Sequence, residues 1–445
     1  MPRKSIALHG RGRSAPVSPR RPTSATRAIV VSSPLTVHRE RFPTVPPTAT
    51  LTLLCIATFE KGHEFLRECH RQGHRVLLLT AETLRDAEWP REAVEEFFFL
   101  PRDIGRDDLL KGVSHIARTR QIDRIVPLDD FDVETAALLR EHLRIPGMGE
   151  TTARYFRDKL AMRVKARNAG ILVPDFVHVL NDSRIAQFTD QVPGPYVLKP
   201  RSSAAAMGIQ RLDTVTALWS AIEALGDRRS FFVLEHYVPG DVYHVDSVVW
   251  EREVLCHAAH KYGTPPINTA HDGGVFTTRT LPRDAPEAGP LSALNREVIT
   301  TFGLVRGVTH TEFIRAHDDG RWYFLETSAR VGGAFIVDVV EAATGLNLWR
   351  EWARIEIAGE DFSYHLPQVR SDYAGLVLTL AREPDPDLSS YDAPEIVTRI
   401  QKHHHAGIIL STPDSHRLDD LLAAYSARFQ HEFMAWQPVP ESPTA

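Results

Sequence analysis

The first half of the chain's opening domain alternates short apolar runs with segments of helical spacing. Residues 51–57 are almost continuously apolar, residues 61–72 carry apolar side chains at helical intervals, and residues 75–80 form a second apolar run. Strands separated by helices are typical of a parallel sheet, so the pattern predicts a small α/β domain over residues 49–150. The same alternation continues through residues 97–100, 107–118, 124–128 and 132–143.

The rest of the chain has a different order, in which several strands follow one another. Helical spacing over residues 150–168 leads into strand-like runs between residues 195 and 257, with one helix near 214–225. This order predicts an α+β arrangement with antiparallel strands. Further helices are expected near residues 287–302, 334–343 and 346–358, strands near 375–380, 396–400 and 407–410, and a last helix over 418–429.

Residues 308–330 predict a β-hairpin in which like charges oppose each other. Two alternating apolar runs flank Asp318-Asp319-Gly320, which favours a short turn. Directly opposed side chains lie about 5 Å apart, so opposed glutamates repel unless a cation lies between them. The hairpin therefore indicates a divalent cation site, with solvated glutamates on an exposed face as the plain alternative. A register centred on Asp319 gives three opposed pairs: His317 with Arg321, Glu312 with Glu326, and His310 with Ser328.

Two lysines and a carboxylate precede the hairpin. Lys199 ends a predicted strand and leads into a loop of small residues that closes at Gly208, where backbone N–H groups can approach a phosphate. Lys159, in the helix after residue 150, offers a second ammonium group. Glu235 ends a buried strand whose edge and carboxylate could bind an adenine and its ribose. Exposed lysines beside an ordinary turn are the alternative.

Four other features carry candidate chemistry. Arg330 follows the hairpin in a loop with Gly332 and Gly333, where a guanidinium can bind a carboxylate or a phosphoryl group with two donors. The loop Asp129–Phe131 follows a strand, at the edge where open parallel sheets bind ligands. His244 and Asp246 are expected on one face of a strand, with an ordinary polar outer face of an antiparallel strand as the alternative. The run His403–His405 is predicted to be a loop or edge feature, because consecutive strand residues point to opposite faces.

Composition and charge narrow the classes of function. The chain has 445 residues, a net charge of −5, and no apolar run near the roughly 20 residues of a membrane helix, so we expect neither nucleic-acid nor membrane partners. Residues 1–48 hold nine Lys/Arg, one Glu and eight Pro, which predicts a disordered basic extension. Nucleic-acid binding through that extension is the alternative. Cys55, Cys69 and Cys256 have no zinc or CxxC spacing and fit a reducing cytoplasm.

The order of these parts resembles the ATP-grasp superfamily and, within it, carboxylate–amine ligases of the L-amino acid ligase kind. The resemblance covers residues 49–425 by order of parts. It implies a two-part ATP-grasp domain over residues 151–360 behind the parallel-sheet domain, and a small α+β subdomain with a tail over residues 361–445. The matching elements are Asp158-Lys159, Leu198-Lys199-Pro200, residues 234–238, His310-Thr-Glu312-Phe, and residues 325–330.

The resemblance assigns residues to a nucleotide. Lys159 and Lys199 would contact the phosphates of ATP, and Glu235 with Val238 would frame the adenine and ribose. Family members often carry several glycines in the phosphate loop, whereas this chain has small residues up to a single glycine, so the loop is expected to be stiffer. The other implied nucleotide contacts are Ser202, Ser203, Met207, Gly208, His236 and Asp241.

The resemblance also assigns the metal and the chemistry. Glu312 and Glu326, with Ser328 beside them, would hold Mg²⁺, with Mn²⁺ as an alternative. Many family members have asparagine where this chain has Ser328, which leaves the number of metal ions open. Arg330 and Lys199 are the implied catalytic residues, and Arg330 would steady the phosphorylated intermediate.

The implied reaction joins a carboxylate, expected to be an amino acid, to an amine. ATP converts the carboxylate to an acyl phosphate, and attack by the amine gives an amide or peptide bond, ADP and phosphate. Specificity is expected in residues 261–280, where His271, Asp272 and the glycine pair 273–274 would face the site. An ATP-dependent carboxylase of the biotin-carboxylase or purine-pathway type and a non-catalytic nucleotide-binding protein are the alternatives. A homodimer is the expected assembly.

Overall fold

A four-stranded parallel sheet begins the part of the chain that the computed structural model describes, which comprises residues 50–204, 206–267, 269, 273–359 and 363–435. The predicted extension 1–48, and His271 and Asp272, lie outside these residues. All residues of the first strand are buried, as its unbroken apolar run predicts. The sheet has the order β3-β2-β1-β4, with β1 Thr52–Ala57, β2 Arg75–Ala81, β3 Glu96–Leu100 and β4 Arg124–Pro127, and with helices α1 His63–Arg71, α2 Arg106–Ile116 and α3 Val133–Leu143.

A second, antiparallel sheet of four strands follows, in the order β5-β8-β6-β7. The prediction of one continuous helix over residues 150–168 is wrong, because Asp158 adopts extended backbone and its carboxylate accepts the N–H groups of Leu160 and Ala161, which starts a new helix. The elements are α4 Glu150–Ala153, α5 Lys159–Asn168, β5 Phe176–His178, α6 Asp182–Gln191, β6 Tyr196–Pro200, β7 Gln210–Leu212, α7 Val215–Leu225 and β8 Phe232–His236.

The third sheet is antiparallel and contains eight strands in the order β13-β12-β9-β10-β11-β14-β16-β15. The strands after residue 363 therefore extend the sheet that contains the predicted hairpin. The elements are β9 Gly240–Trp250, β10 Glu253–Tyr262, β11 Phe276–Thr280, α8 Ala288–Phe302, β12 Gly307–Ala316, β13 Trp322–Ser328, α9 Ile336–Thr344, α10 Leu348–Ala358, β14 Tyr373–Leu380, β15 Ile396–Lys402, β16 His405–Thr412 and α11 Ser415–Glu432.

Strand β9 is buried on both faces. Val242 and Val248 pack in one apolar cluster with side chains of α9 and α10. Tyr243, Val245 and Val249 pack on the other face with side chains of α5 and α8. The sheet is thus enclosed between helices, and any polar side chain of β9 must be paired within the protein. None of the described helices is long and apolar enough to cross a membrane.

The hairpin of β12 and β13 has the predicted register at one end only. The pairs Glu312 with Glu326 and His310 with Ser328 are confirmed. A bulge then shifts the register, so that Phe313 opposes Phe324 and Leu325 is the extra residue. Near the turn, the N–H of Ala316 donates to the carbonyl of Arg321 at 2.9 Å, so the predicted pair His317 with Arg321 is wrong.

Candidate active site

A cleft of about 560 Å³ collects half of the residues predicted for the nucleotide, the metal and catalysis. It lies between the small antiparallel sheet and the eight-stranded sheet, and apolar side chains such as Val197, Ile209 and Ile314 form much of its wall. Such a wall suits a flat aromatic base, and charged groups gather at one end. The predicted residues that line it are Lys159, Lys199, Glu235, His236, Val238, Glu312 and Glu326, together with Gly273 and Gly274 of the predicted specificity segment.

Lys199 and Glu235 form a buried ion pair on neighbouring strands. Lys199 Nζ lies 2.8 Å from Glu235 Oε2, and Arg163 Nε lies 2.9 Å from Glu235 Oε1. Burial lowers the pKa of Lys199 to about 8, against the attraction of Glu235. Burial would raise the pKa of Glu235, but Arg163 and Lys199 together lower it. The carboxylate thus holds two cations in place, while His236 and Val238 line the cleft beside it.

Lys159 is the first residue of α5 and connects three parts of the site. Its Nζ lies 3.0 Å from Glu326 Oε2 and donates to the carbonyl of Ser203 at 2.7 Å. Its backbone N–H donates to the carbonyl of Arg201. The cap formed by Asp158 sets this position, because the helix begins at the residue that carries the ammonium group.

The predicted phosphate loop lies against these cations. Ser203 and Met207 line a small cavity of about 30 Å³ together with Lys159 and Glu326. The carbonyl of Ser202 accepts a hydrogen bond from Arg157 Nη2 at 2.5 Å. Gly208 has φ +69°, and a Cβ there would lie 2.9 Å from Pro200 Cγ, so this turn requires glycine.

Glu312 and Glu326 face each other at the charged end of the cleft. Glu312 Oε1 accepts hydrogen bonds from Tyr262 Oη at 2.8 Å and from His310 Nε2 at 3.4 Å. Burial would raise the pKa of Glu326, but Lys159 and Lys199 lower it. Among the described residues, no hydrogen bond engages Glu312 Oε2 or Glu326 Oε1. Two opposed carboxylates with one unengaged oxygen each fit a hard divalent cation such as Mg²⁺.

Arg330 lies behind the glutamates and contacts the loop after β4. Its Nε is 3.6 Å from Asp130 Oδ1, and Arg157 Nη1 is 2.6 Å from Asp130 Oδ2. Burial would raise the pKa of Asp130, but Arg330 and Arg157 lower it, and the adjacent Ser328 hydroxyl contributes. The loop that was expected to bind ligands at the sheet edge therefore holds the arginine predicted to be catalytic.

Asp241 is a predicted nucleotide contact whose side chain points away from the cleft. It is not among the residues that line the cleft. Its carboxylate is 2.7 Å from Lys261 Nζ and 3.5 Å from His317 Nε2. Since β9 begins at Gly240, the strand turns this side chain away from the cleft wall that Val242 forms.

His244 and Asp246 share one face of β9 as predicted, but they lie in the interior, so the alternative of a polar outer face is wrong. Their side chains are fully buried, with His244 Nδ1 2.7 Å from Asp246 Oδ2 and His310 Nδ1 2.9 Å from Asp246 Oδ1. Burial would lower the pKa of His310, but Asp246 raises it to about 9. The sequence reveals the shared face but not the helices α9 and α10 that cover it.

Arg163 was also missed, although a signal existed. It lies one helical turn after Lys159, so both point from the same face of α5 toward the cleft. His403 and His404 form the turn between β15 and β16, as expected of a loop feature, and His405 lines the cleft.

No protein-family model matches the chain. Its sheets and cleft are those of the ATP-grasp fold, which confirms the predicted fold class. An L-amino acid ligase from Bacillus licheniformis superposes with a TM-score of 0.70 at 18% identity, covering 88% of this chain and 100% of that one. An N5-carboxyaminoimidazole synthetase from Staphylococcus aureus, complexed with ADP, gives a TM-score of 0.63 at 15% identity over 84% and 98%.

Sequence similarity points in the same direction. An L-arginine-specific L-amino acid ligase from Bacillus subtilis is 27% identical over 249 residues, which are 54% of this chain and 59% of the relative. The chain thus matches about three fifths of the length of that relative. The predicted resemblance to L-amino acid ligases is confirmed at the level of homology.

Proposed function

We propose that this chain is an ATP-dependent carboxylate–amine ligase. It would phosphorylate a carboxylate, expected to be an amino acid, and join the acyl group to an amine with release of ADP and phosphate. The observation that carries the proposal is the meeting of Glu312 and Glu326 with Lys159 and Lys199 at one end of an apolar cleft. The related ligase from Bacillus subtilis supports the choice of reaction within the fold.

The chain's own side chains account for nucleotide binding. Val197, Ile209 and Ile314 offer an apolar wall to the adenine, and Lys199 and Lys159 offer ammonium groups to the phosphates. For this, Lys159 must exchange the Ser203 carbonyl and Glu326 for phosphate oxygens. Glu312 and Glu326, with Ser328 beside them, would hold Mg²⁺ or Mn²⁺, which when bound neutralises phosphate charge.

Arg330 and Lys199 are the proposed catalytic residues. A carboxylate is a poor acyl donor, and its phosphorylation gives a leaving group that an amine can displace. Arg330 would bind the acyl phosphate through its guanidinium, whose position Asp130 fixes. The acyl phosphate hydrolyses readily, so the loop of residues 202–208 would act as the cover that excludes water.

The decisive experiment measures phosphate release by the full chain with Mg-ATP against pairs of amino acids. We expect release only when both an acid and an amine are present, with the joined product detected by mass spectrometry. Glu326→Gln should lower turnover about a hundredfold or more while the circular dichroism spectrum is unchanged. Phosphate release that depends on bicarbonate and does not respond to amino acids would indicate a carboxylase instead of a ligase. Nucleotide binding without phosphate release would indicate a non-catalytic nucleotide-binding protein.

The proposal extends to the partners, the location, the assembly and the domain division of the chain. Small-molecule acids and amines would be the partners, the cytoplasm would be the location, and a homodimer would be the assembly. The division at residues 150/151 and 360/361 into a parallel-sheet domain, an ATP-grasp domain and a carboxy-terminal subdomain is likewise kept as a proposal. Light scattering on the purified chain tests the dimer, since a mass near 50.0 kDa would exclude it.

A further inference from the structure

A row of buried polar side chains crosses the eight-stranded sheet and ends at Glu312. Thr278 Oγ1 on β11 is 2.7 Å from His244 Nε2 on β9, and His244 Nδ1 is 2.7 Å from Asp246 Oδ2. Asp246 Oδ1 is 2.9 Å from His310 Nδ1 on β12, and His310 Nε2 is 3.4 Å from Glu312 Oε1. Four hydrogen bonds thus connect a threonine to a proposed metal ligand.

The sheet register creates this row. His310 is directly opposite Asp246 and Glu312 is directly opposite His244, so all four side chains share one face. His244 is 0% exposed and Asp246 is 1% exposed. Hydrogen bonds away from water have no competing partners, and a fully satisfied buried network holds its members in one orientation.

Glu312 receives a second fixed donor from the same face. Tyr262 Oη on β10 donates to Glu312 Oε1 at 2.8 Å, so one oxygen of this carboxylate has two donors. Glu312 Oε2 has no hydrogen bond within the described residues. Groups that hold a metal ligand from behind fix its rotation and strengthen metal binding.

We propose that His310 and Tyr262 are positioning residues that tie down Glu312 Oε1, so that Glu312 presents Oε2 alone to the cation. His310 is itself held by Asp246 and His244. The inference rests on the proposed function, because the cation is the one that accompanies the nucleotide. It adds that the orientation of Glu312, whose Oε2 would be the oxygen available to the cation, is set by residues outside the predicted site.

A cation bound within the row is the competing explanation. Ligand atoms of His244, Asp246 and His310 lie within 4.8 Å of one another, which a metal ion could bridge. Both ring nitrogens of each histidine and both oxygens of Asp246 are, however, already engaged in the row. A metal would have to break these bonds, so the row favours positioning over coordination.

His260 provides a matched control. Its ring stacks on that of His244 with centroids 4.7 Å apart, and it is 0% exposed. Neither of its ring nitrogens has a hydrogen-bond partner in the part of the chain that the structure describes. His260 Nδ1 approaches the row only at 3.9 Å from Asp246 Oδ2, so His260→Phe disturbs the same buried region without removing a hydrogen bond of the row.

The test measures Mn²⁺ affinity of the full chain in the presence of ADP, from the electron paramagnetic resonance signal of free Mn²⁺. We expect His310→Ala to weaken Mn²⁺ binding about tenfold to a hundredfold, Tyr262→Phe about three- to tenfold, and His260→Phe not at all. His310→Gln, whose amide can still donate to Glu312, should recover part of the loss. Affinity for ADP without a divalent cation should not change in any variant.

Two other outcomes overturn the inference. Equal Mn²⁺ affinities of wild type, His310→Ala and Tyr262→Phe would show that Glu312 needs no positioning. A second equivalent of Mn²⁺ or Zn²⁺ in the wild type, lost in His310→Ala, would make the row a metal site. If circular dichroism shows that His310→Ala does not fold, the Mn²⁺ affinity of Tyr262→Phe tests the inference alone. This variant keeps the ring and removes only the hydroxyl that donates to Glu312. Absence of nucleotide-dependent Mn²⁺ binding in the wild type would instead contradict the proposed function.

Discussion

Lys199 shows how burial changes the chemistry of a single residue. Its ammonium lies in the interior, where the charged form loses hydration, and its contact with Glu235 recovers part of that loss. The resulting pKa of about 8 places its titration in a range that binding experiments can reach. A surface lysine, with a pKa near 10.4, would stay charged over that range.

The affinity of the chain for ADP, measured without divalent cations, should therefore fall as the pH rises through about 8. Lys199 is an ammonium below this pH and a neutral amine above it, and only the ammonium attracts phosphate. Because bound phosphate favours the ammonium, the dissociation constant should rise about ten- to thirtyfold between pH 7.5 and 9.5. Calorimetric titration at each pH provides the measurement.

Lys199→Arg is the control for this pH dependence. A guanidinium stays charged throughout the range, so the dissociation constant of this variant should be nearly constant. An equal fall in affinity in wild type and variant would assign the titration to another group.

At the scale of the element, local sequence pattern predicted the pairing of the two glutamates. The bulge in the hairpin and the start of α5 depend on tertiary contacts, which the pattern does not contain. The glutamate pair was predictable because strand residues alternate with period two and the turn sequence fixes their pairing. The bulge at Leu325 was not predictable, because it depends on Arg163, which donates a hydrogen bond to the Leu325 carbonyl from 162 residues earlier in the chain. The start of α5 was missed because Asp158 can cap a helix or lie within one, and only the contact with Arg201 decides.

Arg163→Met should lower the free energy of unfolding by about 3–5 kcal/mol. The guanidinium is 0% exposed and holds both the Glu235 carboxylate and the Leu325 carbonyl. Without this guanidinium, the buried carboxylate of Glu235 is paired with Lys199 alone, and the carbonyl of Leu325 at the bulge loses its hydrogen-bond donor. Urea denaturation followed by circular dichroism gives the difference between variant and wild type.

Arg167→Met is the matched control on the same helix. Arg167 lies one turn later, is exposed, and contacts Phe176 with its guanidinium carbon 4.3 Å from the ring centroid. Such a contact contributes about 0.5–1 kcal/mol, so the loss should be below about 1 kcal/mol. Similar losses in the two variants would contradict the role given to Arg163.

At the scale of the whole molecule, the site draws on all three sheets. The loop after β4 supplies Asp130, the small sheet supplies Lys199, and the eight-stranded sheet supplies the two glutamates. Sequence pattern predicted the parallel sheet and a set of antiparallel strands, since periodicity and turn residues act over short distances, but it did not predict how those strands divide into two sheets. It could not predict that Asp130 meets Arg157 and Arg330, because that contact depends on how the sheets pack.

Asp130→Asn should lower turnover about tenfold or more while leaving the Michaelis constant for ATP within about twofold. The amide keeps the size of the side chain but removes the charge that holds Arg157 at 2.6 Å and Arg330 at 3.6 Å. Arg330 would then be poorly placed for the acyl phosphate, whereas the adenine wall and both lysines would be unchanged. Steady-state phosphate release with the accepted acid and amine measures both constants. Asp108→Asn is the control, because Asp108 is exposed on helix α2 of the same parallel-sheet region, and this change should alter neither constant. A rise in the Michaelis constant for ATP with constant turnover would mean that Asp130 serves nucleotide binding, and that the loop after β4 does not position Arg330, the proposed catalytic arginine.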